Sequence, residues 1–137
     1  MTERKLIDTH PVLRTHLGLH GNLFGGQLMY WIDGAAAAYA MMVCHNRRMV
    51  TVCIDKCIFK KPVKEGSLLE IYGSVKTMGN TSITLFLEAE TVNVYTEERE
   101  TALCTDITFV RVDEEGKAIP ISQQVKDLYS NKFILIN

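Results

Sequence analysis

The spacing of apolar and polar residues changes character along this chain. From Gly25 to Cys44 the segment is apolar, contains no Pro and carries Asp33 as its single charge. Leu28, Met29, Trp31, Ile32 and the alanines from Ala35 to Ala38 leave almost no polar face, which predicts a helix wrapped on all sides. A period of two follows. Met49 to Lys60 puts Met49, Thr51, Cys53, Asp55, Cys57 and Phe59 on one side and Val50, Val52, Ile54, Lys56 and Ile58 on the other, a strand largely apolar on both. Ser67 to Met78 and Thr81 to Tyr95 read as long strands joined through Gly79-Asn80, a hairpin pair that tolerates positive φ. Glu100 to Val112 is the last strand. Lys5 to Arg14 has strand character, but Pro11 interrupts it and assigns it to a sheet edge. In the tail, Gln123 to Tyr129 is a helical candidate, and Phe133 to Ile136 is an apolar end suited to packing on a neighbour.

One strand, one helix too apolar for a surface and four antiparallel strands specify an α+β domain. A sheet of about five strands would curl around the long central helix. Such a sheet leaves edges and an apolar outer face that invite a second copy. The 137 residues form a single domain, 1–137, with no repeat, linker or low-complexity segment.

Charge narrows the functional classes. Fifteen Lys and Arg against sixteen Asp and Glu leave a net charge of -1, so no nucleic-acid footprint or basic membrane face is expected. Gly25 to Cys44 has the length of a membrane span. Asp33 near its centre would cost about 2.5–3.5 kcal/mol, with little from alanine to offset it. MTERKLIDTH lacks the apolar core of a signal peptide, and a cytoplasmic location is expected. Cys44, Cys53, Cys57 and Cys104 form no CxxC pair; the spacing suits neither zinc nor a local disulfide, and reduced, buried thiols are expected. His10, His16, His20 and His45 are scattered, with surface or structural roles as the default.

Asp33 is the feature that needs explaining. A buried carboxylate is paired, hydrogen-bonded or protonated. Its neighbours at helical spacing are Met29, Tyr30, Ala36 and Ala37, so a partner must come from another element. An ordinary core helix with a neutralised acid is the plain alternative. The chemical one is a carboxyl whose pKa is raised by apolar surroundings, the condition for a general base near neutral pH.

Several motifs, in order, carry a resemblance to a known family. They are Gly21-Asn22-Leu23-Phe24-Gly25-Gly26, Asp33, Thr51-Val52-Cys53-Ile54-Asp55 leading to Phe59, Pro62-Val63-Lys64-Glu65-Gly66, the hairpin Lys76 to Ile83, and Thr105 to Val112. Over nearly the whole chain the sequence resembles the hotdog-fold acyl-CoA thioesterases, specifically the broad-specificity bacterial acyl-CoA hydrolases related to the mammalian brain enzyme. The resemblance implies acyl-CoA hydrolysis to free CoA and a carboxylic acid, with no metal or separate cofactor. Gly25 would offer its backbone N–H to the thioester oxygen, and Asp33 would attack the carbonyl or activate water. It further implies a substrate-binding set from Phe24, Gly26, His20, Lys60, Lys61, Thr81 and Ser82. Arg47, Arg48, Lys64 and Lys76 are additional basic candidates for the CoA phosphates. A hexamer of three dimers is the implied assembly.

Spacing adds a constraint. Asp33 lies eight residues after Gly25, so on one helix the two are separated by about 12 Å along the axis. One acyl carbon cannot touch both unless Gly25 comes from one protomer and Asp33 from its partner. The sequence also departs from the family. Gly18 stands where relatives carry Asn or Gln, and Ala37 where they often carry a hydroxyl. Asn22 and His20, in the same loop, are the polar substitutes, with Asn22 placed in the catalytic set. Two rival functions follow: a module that binds acyl-CoA without hydrolysing it, and a hotdog dehydratase or hydratase using His16 or His20 beside the acid.

Overall fold

The computed structural model describes residues 1–133, with side chains described through Tyr129. The order is β1 (Lys5–Pro11), a 3-10 turn (Arg14–His16), α1 (Gly25–Cys44), β2 (Met49–Phe59), β3 (Leu68–Met78), β4 (Ser82–Val92), β5 (Arg99–Arg111) and α2 (Gln123–Phe133). All neighbouring strands are antiparallel, in the order β1-β3-β4-β5-β2. Pro11 sits at the end of edge strand β1, where its missing N–H costs no ladder bond. The predicted apolar end beyond Phe133 lies outside the described residues.

Helix α1 lies against the sheet through Leu28, Trp31, Ile32, Ala35, Ala36, Ala40 and Val43, all buried. Period-two alternation supplies the facing layer: Leu69, Ile71 and Val75 from β3, Ile83, Leu85, Leu87 and Ala89 from β4, and Leu103, Ile107 and Phe109 from β5. Gly73 completes the fit, because a Cβ there would come within 3.1 Å of both Ile7 and the Tyr39 ring. His45 ends the helix in the left-handed conformation, with its N–H on Met41 O.

Three expectations are corrected. The helix is not wrapped on all sides within one chain: Gly26, Tyr30, Gly34, Ala38 and Met42, each four residues after the last, form an exposed strip. Nor is the outer face of the sheet apolar. Arg4 pairs with Glu90 at 2.7 Å and lies over the Tyr72 ring, Arg99 bridges Glu70 and Glu90, and Lys76 meets Asp106 at 2.6 Å. The apolar surface left over is instead β2, exposed from Val50 to Phe59. Two cysteines share that exposure: Cys53 and Cys57 are free and exposed, Cys104 is half-buried, and Cys44 alone is buried. The hairpin forms where expected, yet neither Gly79 nor Asn80 has positive φ. Its tip is held by the tail: Asn80 O accepts Ile121 N–H at 2.8 Å, and Lys126 reaches Asn80 Oδ1.

Strand ends shift for local reasons. β4 stops at Val92 because the Asn93 side chain accepts the N–H of Tyr95, starting a turn that Glu97 closes at positive φ. Among the described residues no helix is long and apolar enough to cross a membrane, and no group of three potential ligands could hold a metal.

Candidate active site

Two loops fix the start of α1. Gly18 N–H bonds Asn22 O at 2.8 Å, Leu23 N–H bonds Val63 O at 2.7 Å, and Asn22 bridges Lys64. Val63 is buried and anchors the pair. The first helical residue is therefore Gly25, after Phe24 in extended conformation with no side-chain cap. Gln27 and Leu28 donate to Phe24 O, whereas among the described residues no acceptor takes the Gly25 N–H. An uncapped N-terminus keeps its donors and the positive end of the helix dipole available.

Gly25 lines a depression of about 330 Å³, together with Asn22, Leu23, Leu28, Phe59, Lys60, Lys61, Pro62 and Val63. A Cβ on Gly25 would lie 3.5 Å from the Phe59 ring. The Phe24 ring folds over Gly26, where a Cβ would come within 2.7 Å of it, and is itself 61% exposed. The fold thus gathers Asn22, Gly25, Lys60 and Lys61 at one place, with Phe24 and Gly26 at the next turn of chain. His20 is exposed at its loop tip and lines neither this depression nor the one at Asp33.

Asp33 faces a second depression of about 300 Å³, lined by Asp8, His10, Tyr30, Trp31, Asp33, Gly34 and Ala35. Its carboxyl is half-buried rather than enclosed, and Oδ1 accepts a hydrogen bond from Thr51 Oγ1 at 3.0 Å. Thr51 is the partner from another element. It was already on a predicted strand face, but only the fold brings that face to the acid.

His10 is the other residue that sequence reasoning missed. Its Nε2 meets Asp8 Oδ2 at 2.7 Å, and its ring stacks on Trp31 at 4.3 Å with 3° between planes. His16 meets the same indole edge-on at 4.8 Å and accepts Leu13 N–H at Nδ1. The histidine that lines the depression with Asp33 is His10, not His16 or His20. Positions 8 and 10 share a strand face, the one signal that could have paired them.

Thr81 and Ser82 lie elsewhere in the protomer. Ser82 pairs with Val110 at one end of the sheet, while Phe59 pairs with Leu103 toward the other. A single chain does not bring them to Gly25. Of the further basic candidates, Arg48 pairs with Glu114 and Lys76 with Asp106, Lys64 lines a separate depression, and Arg47 is exposed.

Comparison with known proteins identifies the family. Residues 20–98 match the Thioesterase superfamily. An uncharacterised acyl-CoA thioester hydrolase of Bacillus subtilis, YkhA, is 35% identical over 127 residues, covering 91% of this chain and 72% of that protein. A hexameric hotdog-fold thioesterase of Campylobacter jejuni superposes with a TM-score of 0.83 at 30% identity, over 91% of this chain and 96% of its own. HI0827, described as a hexameric broad-specificity acyl-coenzyme A thioesterase, superposes with a TM-score of 0.86 at 27% identity, over 96% of each chain. With an antiparallel five-stranded sheet laid along one long helix, and an open helix N-terminus at its site, the chain has the hotdog fold and belongs to the thioesterase superfamily.

Proposed function

We propose that this protein hydrolyses acyl-CoA thioesters at two equivalent sites of a two-fold dimer. Each site takes the Gly25 N–H from one protomer and Asp33 from its partner. The observation that carries this reading is the separation of the two groups into different depressions beside an uncovered strip. α1 runs against β2: Gly25 lies by Phe59 and Asp33 by Thr51. A two-fold axis through β2 near Asp55 would set the Thr51 end of one chain beside the Phe59 end of the other. That pairing covers exposed β2 and brings each Asp33 toward a partner's Gly25. The hexameric relatives support further association of such dimers.

The chemistry follows from the two groups. Attack at the thioester carbon puts negative charge on the carbonyl oxygen, which the Gly25 N–H and the helix dipole stabilise. Asp33 either takes the proton of attacking water or attacks first and is released by water. In both routes the C–S bond breaks, the thiolate leaves with a proton, and carboxylic acid and CoA are formed. Lys60 and Lys61 beside Gly25 suit the anionic CoA, and Asn22 is the polar side chain in place of the family residue at Gly18. No metal or separate cofactor is required in this scheme.

The test is complementation. Gly25→Pro removes the N–H at the first helical position, where proline's φ fits and the extended Phe24 suits a following proline. The loss should be roughly 10²–10³-fold in kcat. Asp33→Asn should abolish thiol release while retaining acyl-CoA binding. Co-expressed, the two variants should recover about a quarter of wild-type turnover, because half of the randomly assorted dimers hold one intact site. Absence of recovery would overturn the shared site. Saturable acyl-CoA binding with no wild-type turnover would favour the non-catalytic module.

A second reading has His10 in its favour, since a hotdog dehydratase uses a histidine beside an acid. Its ring is tied to Asp8, which leaves Asp33 to Thr51. Formation of an enoyl ester without free thiol would establish that reading instead.

A further inference from the structure

The depression at Asp33 differs from a plain hydrocarbon slot. Tyr30, Trp31 and Ala35 give it apolar walls, but Asp8 and His10 stand in it as a hydrogen-bonded pair. Among the described residues Asp8 is the hydrogen-bond partner of the His10 ring, through Nε2, so Nδ1 carries unused hydrogen-bonding capacity. The ring is also held flat on Trp31. A carboxylate at one nitrogen and an indole beneath leave it little freedom to turn away. The side chains of Asp8 and His10 are 36% and 27% exposed, so covering them with substrate removes water that they still contact.

A ligand's fit here follows from desolvation. An unsubstituted alkyl chain would strip water from the pair and return no hydrogen bond, a cost borne by every polar group buried without a partner. A substituent with a hydroxyl replaces that water. Two carboxylates in the lining, Asp8 and Asp33, disfavour a second negative charge on the acyl group. We infer that this depression receives the acyl group, and that His10, oriented by Asp8 on Trp31, selects short neutral acyl groups bearing a hydroxyl over unsubstituted chains of the same length. The inference rests on the reading of Asp33 as the reacting acid. In it His10 binds the acyl substituent and Asp8 positions His10.

The experiment compares kcat/KM for free-thiol release from paired short acyl-CoAs, with and without a hydroxyl at the third or fourth carbon. The wild-type protein should prefer the hydroxylated member by roughly ten- to a hundredfold, below the 10⁴ reached where a substrate hydroxyl is fully enclosed. His10→Leu should bring that ratio to about one. His10→Gln, which keeps a hydrogen-bonding group, should retain part of it, as should Asp8→Asn. Should His10→Leu fail to fold, the ratio in His10→Gln decides, because a purely structural role would scale both substrates equally. A wild-type ratio near one at both hydroxyl positions, or a ratio unchanged in both His10 variants, overturns the inference. Asp33→Asn separates this from failure of the underlying reading: it should remove turnover of both substrates alike, and if it does not, the assignment of Asp33 falls whatever His10 does. Conversion of the hydroxylated ester to an enoyl ester without thiol release would also overturn it.

Discussion

The two sides of this sheet are finished to different degrees. On the outer side of β3, β4 and β5, charged and polar groups complete one another within the chain: Arg4 with Glu90, Arg99 with Glu70, Lys76 with Asp106, and the hydroxyls of Thr84 and Thr108 at 2.9 Å. Beside the helix the same chain leaves Val52, Ile54, Ile58 and Phe59 exposed on an edge strand, and Tyr30 and Met42 about three-quarters exposed on α1. A long apolar edge is an open invitation to pair, and proteins that stay single blunt it with charge. β2 has two charges in eleven residues, the adjacent and opposite Asp55 and Lys56. Both depressions with candidate catalytic groups adjoin the unfinished side.

The largest effect should come from forcing that side to stand alone. Near a two-fold axis at Asp55, Ile54→Lys stands opposite the partner's Lys56 across the proposed pairing, so like charges meet on both sides of the axis on a strand that needs to be covered. Light scattering should find the assembly reduced to single chains, with thiol release down by at least a hundredfold. An assembled, active variant would refute the proposed β2 contact. A smaller loss is expected at Thr51. Thr51→Val keeps shape but removes the hydroxyl from Asp33 Oδ1, and a hydrogen bond to a charged group is worth about 1.5–3 kcal/mol, or roughly ten- to a hundredfold in kcat. Thr51→Ser should restore most of it, which loss of packing alone would not allow.

Cysteine chemistry sharpens the comparison without changing activity. Cys44 is buried, its thiol pKa pushed up to about 11 by burial, and should resist alkylation in any assembly. Cys53 and Cys57 are exposed in the single chain. Burial raises the Cys57 thiol, which lies 3.6 Å from Met29 Sδ, so Cys53 should react first once uncovered. In the intact protein both should label slowly, and in Ile54→Lys quickly. Rapid labelling of both in an intact oligomer would place the subunit contact elsewhere.

Much of this was legible in the sequence because the signals were periodic. Apolarity broken by one charge placed α1 at Gly25–Cys44, and alternation placed every strand, with some ends moved, as at Val92, where the Asn93 side chain captures a backbone N–H. The polarity of the outer face was legible too: Glu70, Tyr72, Ser74 and Lys76 alternate with apolar residues on β3. The expectation of an apolar outer face extended to the whole sheet a pattern that belongs to β2. Thr51 and His10 were hidden for another reason. Each meets its site across the fold, Thr51 from 18 residues beyond Asp33, and local periodicity assigns a face without naming what lies opposite. Thr81 and Ser82 illustrate the converse, since the resemblance grouped them with Gly25 but one chain's sheet holds them toward the opposite end.

The smallest effect belongs to the finished side. The Arg99 guanidinium donates to Glu70 and holds its carboxyl below the usual carboxylate range, with Tyr72 donating to the same group. A carboxyl depressed in the folded state contributes stability that is present above its unfolded pKa, about 4.3. That contribution is lost as pH falls through the lower folded value. Arg99 is largely in solvent, so screening keeps the contribution small. Arg99→Gln should therefore move the acid-unfolding midpoint, followed by circular dichroism, slightly to higher pH while thiol release at neutral pH stays at the wild-type rate. A variant that unfolds at the same pH but loses turnover would break the comparison at its other end, because the outer face would then be part of the site rather than a surface complete in itself.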